Sequence, residues 1–320
     1  STDFPASRRF LMPKLTDDTA GLSCIADWVR WAASRFAEAG LSYGHGTDNA
    51  LDEAYHLVLH ALHLPTDLPT VYLQTHLTAS EQSAVLALLR RRLETRVPAA
   101  YLIGEIMFAG LPFSVDARVL VPRSPFAELI ERGFGPWVQD EPTSVLDLCT
   151  GSGCIGIACA VAFDQAQVDL TDLSAEALVV AQRNVERHHL TARVALHQGD
   201  LWAAVGDRRY DLIVSNPPYV PTAEWTALAE EYRREPRMAL EAGADGMDLV
   251  ARILADAAAH LSEGGWLFCE VGGSVEEFEA RWPRLPVTWV DFSRGGDGVF
   301  VISRQDLIAN AAMVSSQPSP

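Results

Sequence analysis

Hydrophobic and polar positions alternate with a helical period between about residues 18 and 96, which predicts three helices. Asp48 or Asn49 is expected to cap the second helix, and Pro65 and Pro69 to end it. Thr78-Ala-Ser-Glu81 has the form of a capping box and opens a third helix. The predicted inner faces are Leu22, Ile25, Trp28, Val29, Ala32 and Phe36 in the first helix and Leu51, Ala54, Tyr55, Val58 and Leu62 in the second.

The pattern then changes to a β-rich connector over about residues 106–121, a helix that begins at Ser124-Pro125, and a link over 133–143. From Ser144 onwards short apolar strands alternate with helices, which is typical of a doubly wound parallel sheet in an α/β domain. The last two strands flank the glycine-rich turn 294–298 and predict an antiparallel hairpin. The predicted strands are Ser144–Leu148, Gln167–Thr171, Arg193–His197, Leu212–Ser215, Gly265–Val271, Val287–Phe292 and Val299–Ser303.

These patterns predict four regions along the chain. They are a small N-terminal helical domain (1–105), a β connector with a linker helix (106–143), an α/β domain (144–306) and a frayed tail (307–320). The first residues lack the features of a signal peptide, and no apolar stretch approaches the ~20 residues of a membrane span. We therefore expect a cytoplasmic protein without a membrane partner.

Composition and charge narrow the classes of function. Hydrophobic residues make up 48% of the 320 residues, and the five cysteines form no CxxC pair, so neither a disulfide framework nor a zinc site is predicted. The first 100 residues contain 9 basic and 11 acidic residues, whereas the remaining 220 contain 16 and 31, within a net charge of −17. The acidic C-terminal part disfavours nucleic acid as a direct substrate and favours a basic protein partner, although acidity also serves solubility.

A glycine-rich loop follows the first strand of the α/β domain, in Asp147-Leu-Cys-Thr-Gly-Ser-Gly153. Together with Gly156 and Asp172 this loop satisfies the spacing of a dinucleotide-binding fingerprint. However, the Asp147 carboxylate would repel a pyrophosphate and suits a ligand with an ammonium group. The loop thus favours S-adenosyl-L-methionine, with a nicotinamide cofactor or a purely structural turn as alternatives.

Acidic residues also end the next two strands, so that three carboxylates are expected in one crevice at the carboxyl edge of the sheet. We expect Asp172 to accept from both ribose hydroxyls of the cofactor and Asp200 to accept from the adenine amino group, while Leu201 covers the ring. The predicted cofactor site comprises Asp147, Cys149, Thr150, Gly151, Ser152, Gly153, Asp172, Leu173, Asp200, Leu201 and Asn216.

The fourth strand ends in Asn216-Pro217-Pro218-Tyr219, which predicts the catalytic and substrate-binding residues. Two prolines stiffen the backbone and remove N–H donors, so that the Asn216 side chain and the Pro217 carbonyl present acceptors side by side. Such a pair matches the two N–H donors of a planar –NH2 group, on which Tyr219 could stack. Hydrogen bonds to these acceptors would orient the nitrogen lone pair and stabilise positive charge that develops there. The alternative is an ordinary proline-rich loop that caps a strand.

With these motifs the chain resembles the amino-group methyltransferases of the Asn-Pro-Pro-Tyr type, and within them the HemK-like protein-(glutamine-N5) methyltransferases. The resemblance implies a seven-stranded class I methyltransferase sheet, an N-terminal substrate-recognition domain, and S-adenosyl-L-homocysteine as product. Two branches compete, one acting on peptide chain release factors and the other on large-subunit ribosomal protein L-three, a basic substrate; the motifs favour the second. The resemblance rests on 98–102, Val119–Pro125, Leu146–Gly153, Ser215–Val220, Glu235–Leu240, Gly243–Gly246 and Gly295–Phe300.

Other constellations leave several interpretations open. Glu53, His56, His60 and His63 share one helix face, which is either solvated or a metal site, and solvation is favoured. The patch Arg90–Arg92 with Arg96 is either solvated or docks RNA or an acidic surface. Glu270 and Arg123 have structural or site roles about equally. Rival functions are adenine-N6 methylation of nucleic acid and a non-enzymatic ribosome assembly factor.

Overall fold

The computed structural model describes residues 19–315, which form two compact units, and the first of these units ends at Leu102. In this unit α1 buries the predicted face from Ile25 to Phe36, and Trp31 is buried as well. A short 3-10 helix, Thr70–Gln74, precedes α3. The helices are α1 (Ile25–Glu38), α2 (Ala50–Ala61), α3 (Ala79–Thr95) and α4 (Ala99–Ile103), the last of which ends one residue into the second unit.

Local sequence signals explain where α2 and α3 begin and end. Asn49, not Asp48, caps α2, because its side-chain oxygen accepts from the backbone of Leu51 (3.0 Å) and of the following residue (2.9 Å). The helix ends at Ala61, and His63 takes a left-handed conformation before the prolines are reached. The predicted capping box of α3 is confirmed, because Thr78 and Glu81 exchange hydrogen bonds.

The packing of this unit corrects three predictions. The Arg92 Nε donates to Glu53 Oε1 over 2.7 Å, and both side chains are buried. Glu53 therefore lies inside and not on a solvated face with the histidines, and Arg92 does not belong to a surface patch. Leu51, predicted to face inward, is 54% exposed. Across residues 19–315, no group of three or more His, Cys, Asp or Glu side chains could hold a metal ion.

The second unit starts at Ile103 and contains an antiparallel pair of strands followed by a seven-stranded sheet. The pair is β1 (Glu105–Phe108) with β2 (Leu111–Ser114), and α5 (Phe126–Glu131) follows it. The sheet consists of β3 (Ser144–Leu148), β4 (Gln167–Asp172), β5 (Val194–Gln198), β6 (Tyr210–Ser215), β7 (Leu261–Glu270), β8 (Thr288–Trp289) and β9 (Val299–Ser303). The remaining helices are α6 (Cys154–Ala162), α7 (Ala175–Arg187), α8 (Thr222–Trp225), α9 (Asp248–His260), α10 (Val275–Arg281), α11 (Arg304–Ala309) and α12 (Ala311–Val314).

The strand order is β5-β4-β3-β6-β7-β9-β8, in which the first five strands are parallel and β9 and β8 form antiparallel pairs. Alternate residues of β3 enter separate cores on the two faces, Val145 with α6 and α7, and Leu146 with α9 and α10. The predicted doubly wound α/β sheet with an antiparallel hairpin is thus confirmed. The change of direction in strand order between β3 and β6 leaves a crevice at their carboxyl ends.

The C-terminal tail differs from its prediction as far as the structure describes it. Leu307 in α11 and Val314 in α12 are both buried in the core that contains α9. Burial of these apolar side chains explains why Arg304–Ala309 and Ala311–Val314 are ordered helices and not a frayed tail. The expectations for residues 1–18 and 316–320 lie outside the described residues, and within 19–315 no helix is both long and apolar enough to cross a membrane.

Candidate active site

A cavity opens at the carboxyl ends of β3, β4 and β6 in the second unit. Its wall contains the glycine loop after β3, the acidic ends after β4 and β5, and part of the Asn-Pro-Pro-Tyr motif. The predicted site residues that line it are Cys149, Thr150, Gly151, Ser152, Asp172, Leu173, Asp200, Leu201, Asn216 and Pro218. Asp147, Gly153, Pro217 and Tyr219 are not among the residues that line it.

The glycine loop is shaped by positions that only glycine suits. Gly151 and Gly153 have positive φ angles of 55° and 82°, and a Cβ at Gly156 would lie 2.2 Å from Leu170 Cδ2. Thr150 N donates to the Thr171 carbonyl over 2.9 Å, which fixes the loop to β4. A Cβ built on Gly151 meets no heavy atom within 4 Å, so the backbone faces open space there. The loop therefore lets a ligand approach its backbone closely.

Asp147 supports this loop from beneath, contrary to the predicted contact with a ligand ammonium group. It is 1% exposed, and its Oδ2 accepts from Thr150 Oγ1 (2.6 Å) and from Gly156 N (2.9 Å). Its Oδ1 is buried without a hydrogen-bond partner. Burial raises the pKa of Asp147 to about 7, so that this carboxyl is poised between its two protonation states.

The carboxylates after β4 and β5 stand in different surroundings. Asp172 lines the cavity, its two oxygens accept from Gly151 N (2.9 Å) and Ser174 N (2.8 Å), and burial raises its pKa. Asp200 is exposed and forms an ion pair with Arg252 Nη2 at 2.7 Å. A ligand amino group would share Asp200 with this arginine, a partner that the sequence did not reveal.

The Asn-Pro-Pro-Tyr segment leaves β6 directly into the cavity wall. Asn216 and Pro218 line the cavity, whereas Pro217 is buried and the Tyr219 hydroxyl donates to Glu270 Oε1 over 3.2 Å. A Cβ at Gly272 would come within 2.5 Å of the Tyr219 ring, and a Cβ at Gly246 within 2.1 Å of the Tyr219 carbonyl. Glycines from two other segments thus hold the tyrosine closely, which explains why glycine stands at these positions.

A segment before α5 completes the site and was only partly foreseen. Arg118, Val119, Leu120 and Pro122–Ser124 line the cavity. Arg123 Nη1 donates to Glu235 Oε2 over 2.9 Å, and the same oxygen accepts from Val121 N at 2.9 Å. The sequence showed these residues as parts of two motifs but gave no sign that they pair across more than a hundred positions.

Comparison with known proteins agrees with this geometry. Residues 27–104 match the PrmC N-terminal domain, and residues 137–244 match the methyltransferase small domain. The chain is 51% identical over 299 residues to the ribosomal protein uL3 glutamine methyltransferase of Xanthomonas campestris, which covers 93% of this chain and 97% of that protein. It is 49% identical over 288 residues to the enzyme of the same name from Bordetella pertussis, with 89% and 97% covered. A solved methyltransferase from Pyrococcus furiosus shares 20% identity over 61% of this chain and 89% of its own, with a TM-score of 0.45.

These relatives confirm the ribosomal-protein branch of the resemblance over the release-factor branch. Half of the residues are identical along nearly the whole chain. The chain belongs to the ribosomal protein uL3 glutamine methyltransferase family.

Proposed function

We propose that this enzyme transfers a methyl group from S-adenosyl-L-methionine to the side-chain amide nitrogen of a glutamine in ribosomal protein uL3, the L-three protein. The observation that carries the proposal is the meeting of two loops at one cavity, the glycine loop after β3 and the segment that begins at Asn216 after β6. The first suits a cofactor and the second suits an amide. The names of the relatives supply the substrate, and we expect the reaction in the cytoplasm.

The residues around the cavity fit the proposed cofactor. The open space before Gly151 admits a ligand next to the backbone, and the Asp172 carboxylate can accept from ribose hydroxyls. Leu173 and Leu201 offer apolar surface for adenine. The Arg123 guanidinium, which is 24% exposed on the cavity, suits the carboxylate end. When bound, S-adenosyl-L-methionine supplies an activated methyl group on a sulfonium centre and leaves as S-adenosyl-L-homocysteine.

The chain's own residues would solve the problem that an amide nitrogen is a weak nucleophile. The Asn216 side-chain oxygen and the Pro217 carbonyl accept from the two N–H groups of the glutamine amide and orient its nitrogen. Both oxygens carry partial negative charge, so they stabilise positive charge that develops on the nitrogen. The methylated nitrogen then loses one of its two original protons to water, which leaves a neutral N-methyl amide. Pro218 and Tyr219 keep these acceptors in place. The rate of methyl transfer would therefore depend on how well the loop is preorganised.

The charge of the chain supports a basic protein as substrate. Residues 101–320 contain 16 basic and 31 acidic residues, so the unit that carries the cavity has a negative field. Such a field attracts a basic partner and raises the association rate. It would repel the phosphates of RNA or DNA, which weighs against adenine methylation.

The test is to incubate the purified protein with methyl-labelled S-adenosyl-L-methionine and, in separate reactions, uL3 and a peptide chain release factor. We expect label on a glutamine of uL3 that is lost in Asn216→Ala and retained in the surface control Gln182→Ala. Label on the release factor alone would overturn the substrate and keep the chemistry. Label on neither protein would overturn the proposal and favour a binding role in ribosome assembly, which Asn216→Ala would leave intact in cells.

A further inference from the structure

Glu270 is a buried carboxylate beside the proposed amide-binding loop, and it has no part in the proposed methyl transfer so far described. It is the last residue of β7 and only 5% exposed. Its two oxygens accept from two hydroxyls, Oε1 from Tyr219 Oη (3.2 Å) and Oε2 from Ser124 Oγ (2.5 Å). In the described residues it forms no ion pair. A carboxylate at this depth without a cationic partner is costly, so its retention needs an explanation.

The position of Glu270 follows from the sheet. Ser215 of β6 lies opposite Cys269 of β7 in parallel register, and the chains continue one residue further to Asn216 and Glu270. Glu270 therefore leaves the sheet edge next to the residue that begins the Asn-Pro-Pro-Tyr loop. The pairing of β6 with β7 thus places a carboxylate at the base of that loop.

The two hydroxyl partners of Glu270 belong to different walls of the site. Tyr219 ends the Asn-Pro-Pro-Tyr loop, whereas Ser124 lines the cavity in the segment before α5. Ser124 Oγ also accepts from Phe126 N over 3.2 Å, at the start of that helix. One carboxylate thus connects the proposed amide-binding loop to the proposed cofactor wall.

We propose that Glu270 is a positioning residue, which holds the Asn216–Tyr219 loop against the Ser124 wall through its two hydroxyl hydrogen bonds. This inference rests on the proposed function, since the loop is what the methyl transfer requires. A carboxylate suits the task because it offers acceptors on both oxygens and both partners are donors. Protonation, or an amide in its place, converts one oxygen into a donor and disturbs one of the two bonds.

The charges that face Glu270 determine when it is ionised. Burial raises its pKa to about 7, with the hydroxyls of Ser124 and Tyr219 and the charge of Arg123 lowering it and Asp297 raising it. These groups come from the segment before α5, the loop after β6 and the turn before β9. The positioning role therefore predicts that kcat falls as the pH drops below about 7, when Glu270 takes up a proton.

The test is a double-mutant cycle with Glu270→Gln, Tyr219→Phe and the double variant, measured on uL3 as kcat and KM. We expect Glu270→Gln to lower kcat by about 10- to 100-fold, the scale of a displaced catalytic loop, with a smaller change in KM. In the Tyr219→Phe background, Glu270→Gln should lower kcat several-fold less, because the hydrogen bond between Tyr219 and Glu270 is already absent. The limb of the pH profile near 7 should become shallower in Glu270→Gln, while the Asp147 carboxyl, whose pKa burial also raises to about 7, remains. Glu128→Gln is the control, because Glu128 is equally buried but binds the backbone of Ser293 and Arg294 instead.

Two outcomes would overturn the inference, an equal loss from Glu270→Gln in both backgrounds and an unchanged pH limb. A second measurement does not depend on the substrate, namely NMR of protein with ¹³C-labelled tyrosine, with the Tyr219 signal assigned by its loss in Tyr219→Phe. That signal should move in Glu270→Gln and stay in place in Glu128→Gln. If wild-type protein methylates neither uL3 nor a release factor, the proposed function fails, while an unmoved Tyr219 signal refutes the positioning role alone.

Discussion

The buried ion pair of the helical unit differs from two buried carboxyls at the proposed site of the sheet unit. In the helical unit, Glu53 and Arg92 are both buried and bind each other over 2.7 Å. In the sheet unit, Asp147 and Glu270 are equally deep, but their partners are hydroxyls and one backbone amide. The first arrangement neutralises a charge, whereas the second leaves carboxyls whose pKa is raised to about 7 by burial.

The difference shows which buried charges stabilise the fold and which belong to a site. The buried Glu53–Arg92 pair joins α2 to α3. The unpaired carboxyls lie at strand ends, one under the glycine loop and one under the Asn-Pro-Pro-Tyr loop. Perturbed titration at such places is a common mark of function.

The largest effect is expected from Arg92→Ala, which removes the buried guanidinium that pairs with Glu53 in the helical unit. Breaking a buried pair in this way costs about 3–5 kcal/mol of unfolding free energy. Urea unfolding followed by tryptophan fluorescence measures it, with Arg91→Ala on the exposed side of the same helix as control, expected to change stability by less than about 0.5 kcal/mol. A loss from Arg92→Ala no greater than that of Arg91→Ala would contradict the assigned pairing.

The next effect is a gain, not a loss, of unfolding free energy, and it depends on pH. In the unfolded chain Glu270 has a pKa near 4.5, and in the folded protein burial raises it to about 7. The folded state therefore binds more protons between these values, and the stability that Glu270 contributes below pH 4.5 is lost as the pH rises through 7. Glu270→Gln should stabilise the protein at pH 8 by up to about 3 kcal/mol, while it lowers kcat.

Glu128→Gln gives the matched control for this pH effect. Hydrogen bonds from the Ser293 and Arg294 backbone lower the pKa of Glu128, so its contribution is present above its unfolded pKa and lost as the pH falls. We expect Glu128→Gln to destabilise at pH 8. Unfolding curves at pH 5 and pH 8 distinguish the two glutamates, and a loss of stability in both variants at pH 8 would show that Glu270 is an ordinary structural carboxylate.

Features set by neighbouring residues could be predicted from the sequence, whereas contacts between residues far apart in the sequence could not. The strands, the glycine loop and the Asn-Pro-Pro-Tyr motif were predictable because hydrophobic period, glycine spacing and proline are local signals. The Glu53–Arg92 pair joins residues 39 positions apart, and Arg123–Glu235 joins residues 112 apart. Neither leaves a local pattern, so Arg92 was mistaken for part of a surface patch.

Two further differences have the same origin. The hairpin of β8 and β9 was predicted from its turn, but sequence order could not show that β9 also pairs with β7 and so lies inside the sheet edge. Asp147 was predicted from its place before the glycines to meet a ligand ammonium group, but it is buried beneath the loop. Its orientation beneath the loop depends on the Gly156 amide, a contact that only the folded turn creates.

A smaller loss of stability is expected from Gly156→Ala, which changes the packing around the Asp147 carboxyl. The new Cβ would lie 2.2 Å from Leu170 Cδ2 and 2.9 Å from Asp147 Cβ, so the helix and the loop must move apart. Overpacking of this kind costs about 1–3 kcal/mol. Calorimetry should also show weaker binding of S-adenosyl-L-homocysteine. Gly273→Ala is the control for stability, because its Cβ would meet no atom within 4 Å.

The smallest effect on stability is expected for the ion pair of Asp200 and Arg252. Both side chains are about half exposed, unlike those of the buried Glu53–Arg92 pair. Water screens such a pair, so Arg252→Ala should change the unfolding free energy by less than about 1 kcal/mol. The same substitution frees the Asp200 carboxylate on the cavity wall, where it can accept from a ligand amino group. We therefore expect S-adenosyl-L-homocysteine to bind equally well or slightly more tightly, with a ratio that falls as salt is added. Weaker binding would mean that Arg252 itself touches the ligand and that Asp200 does not recognise adenine alone.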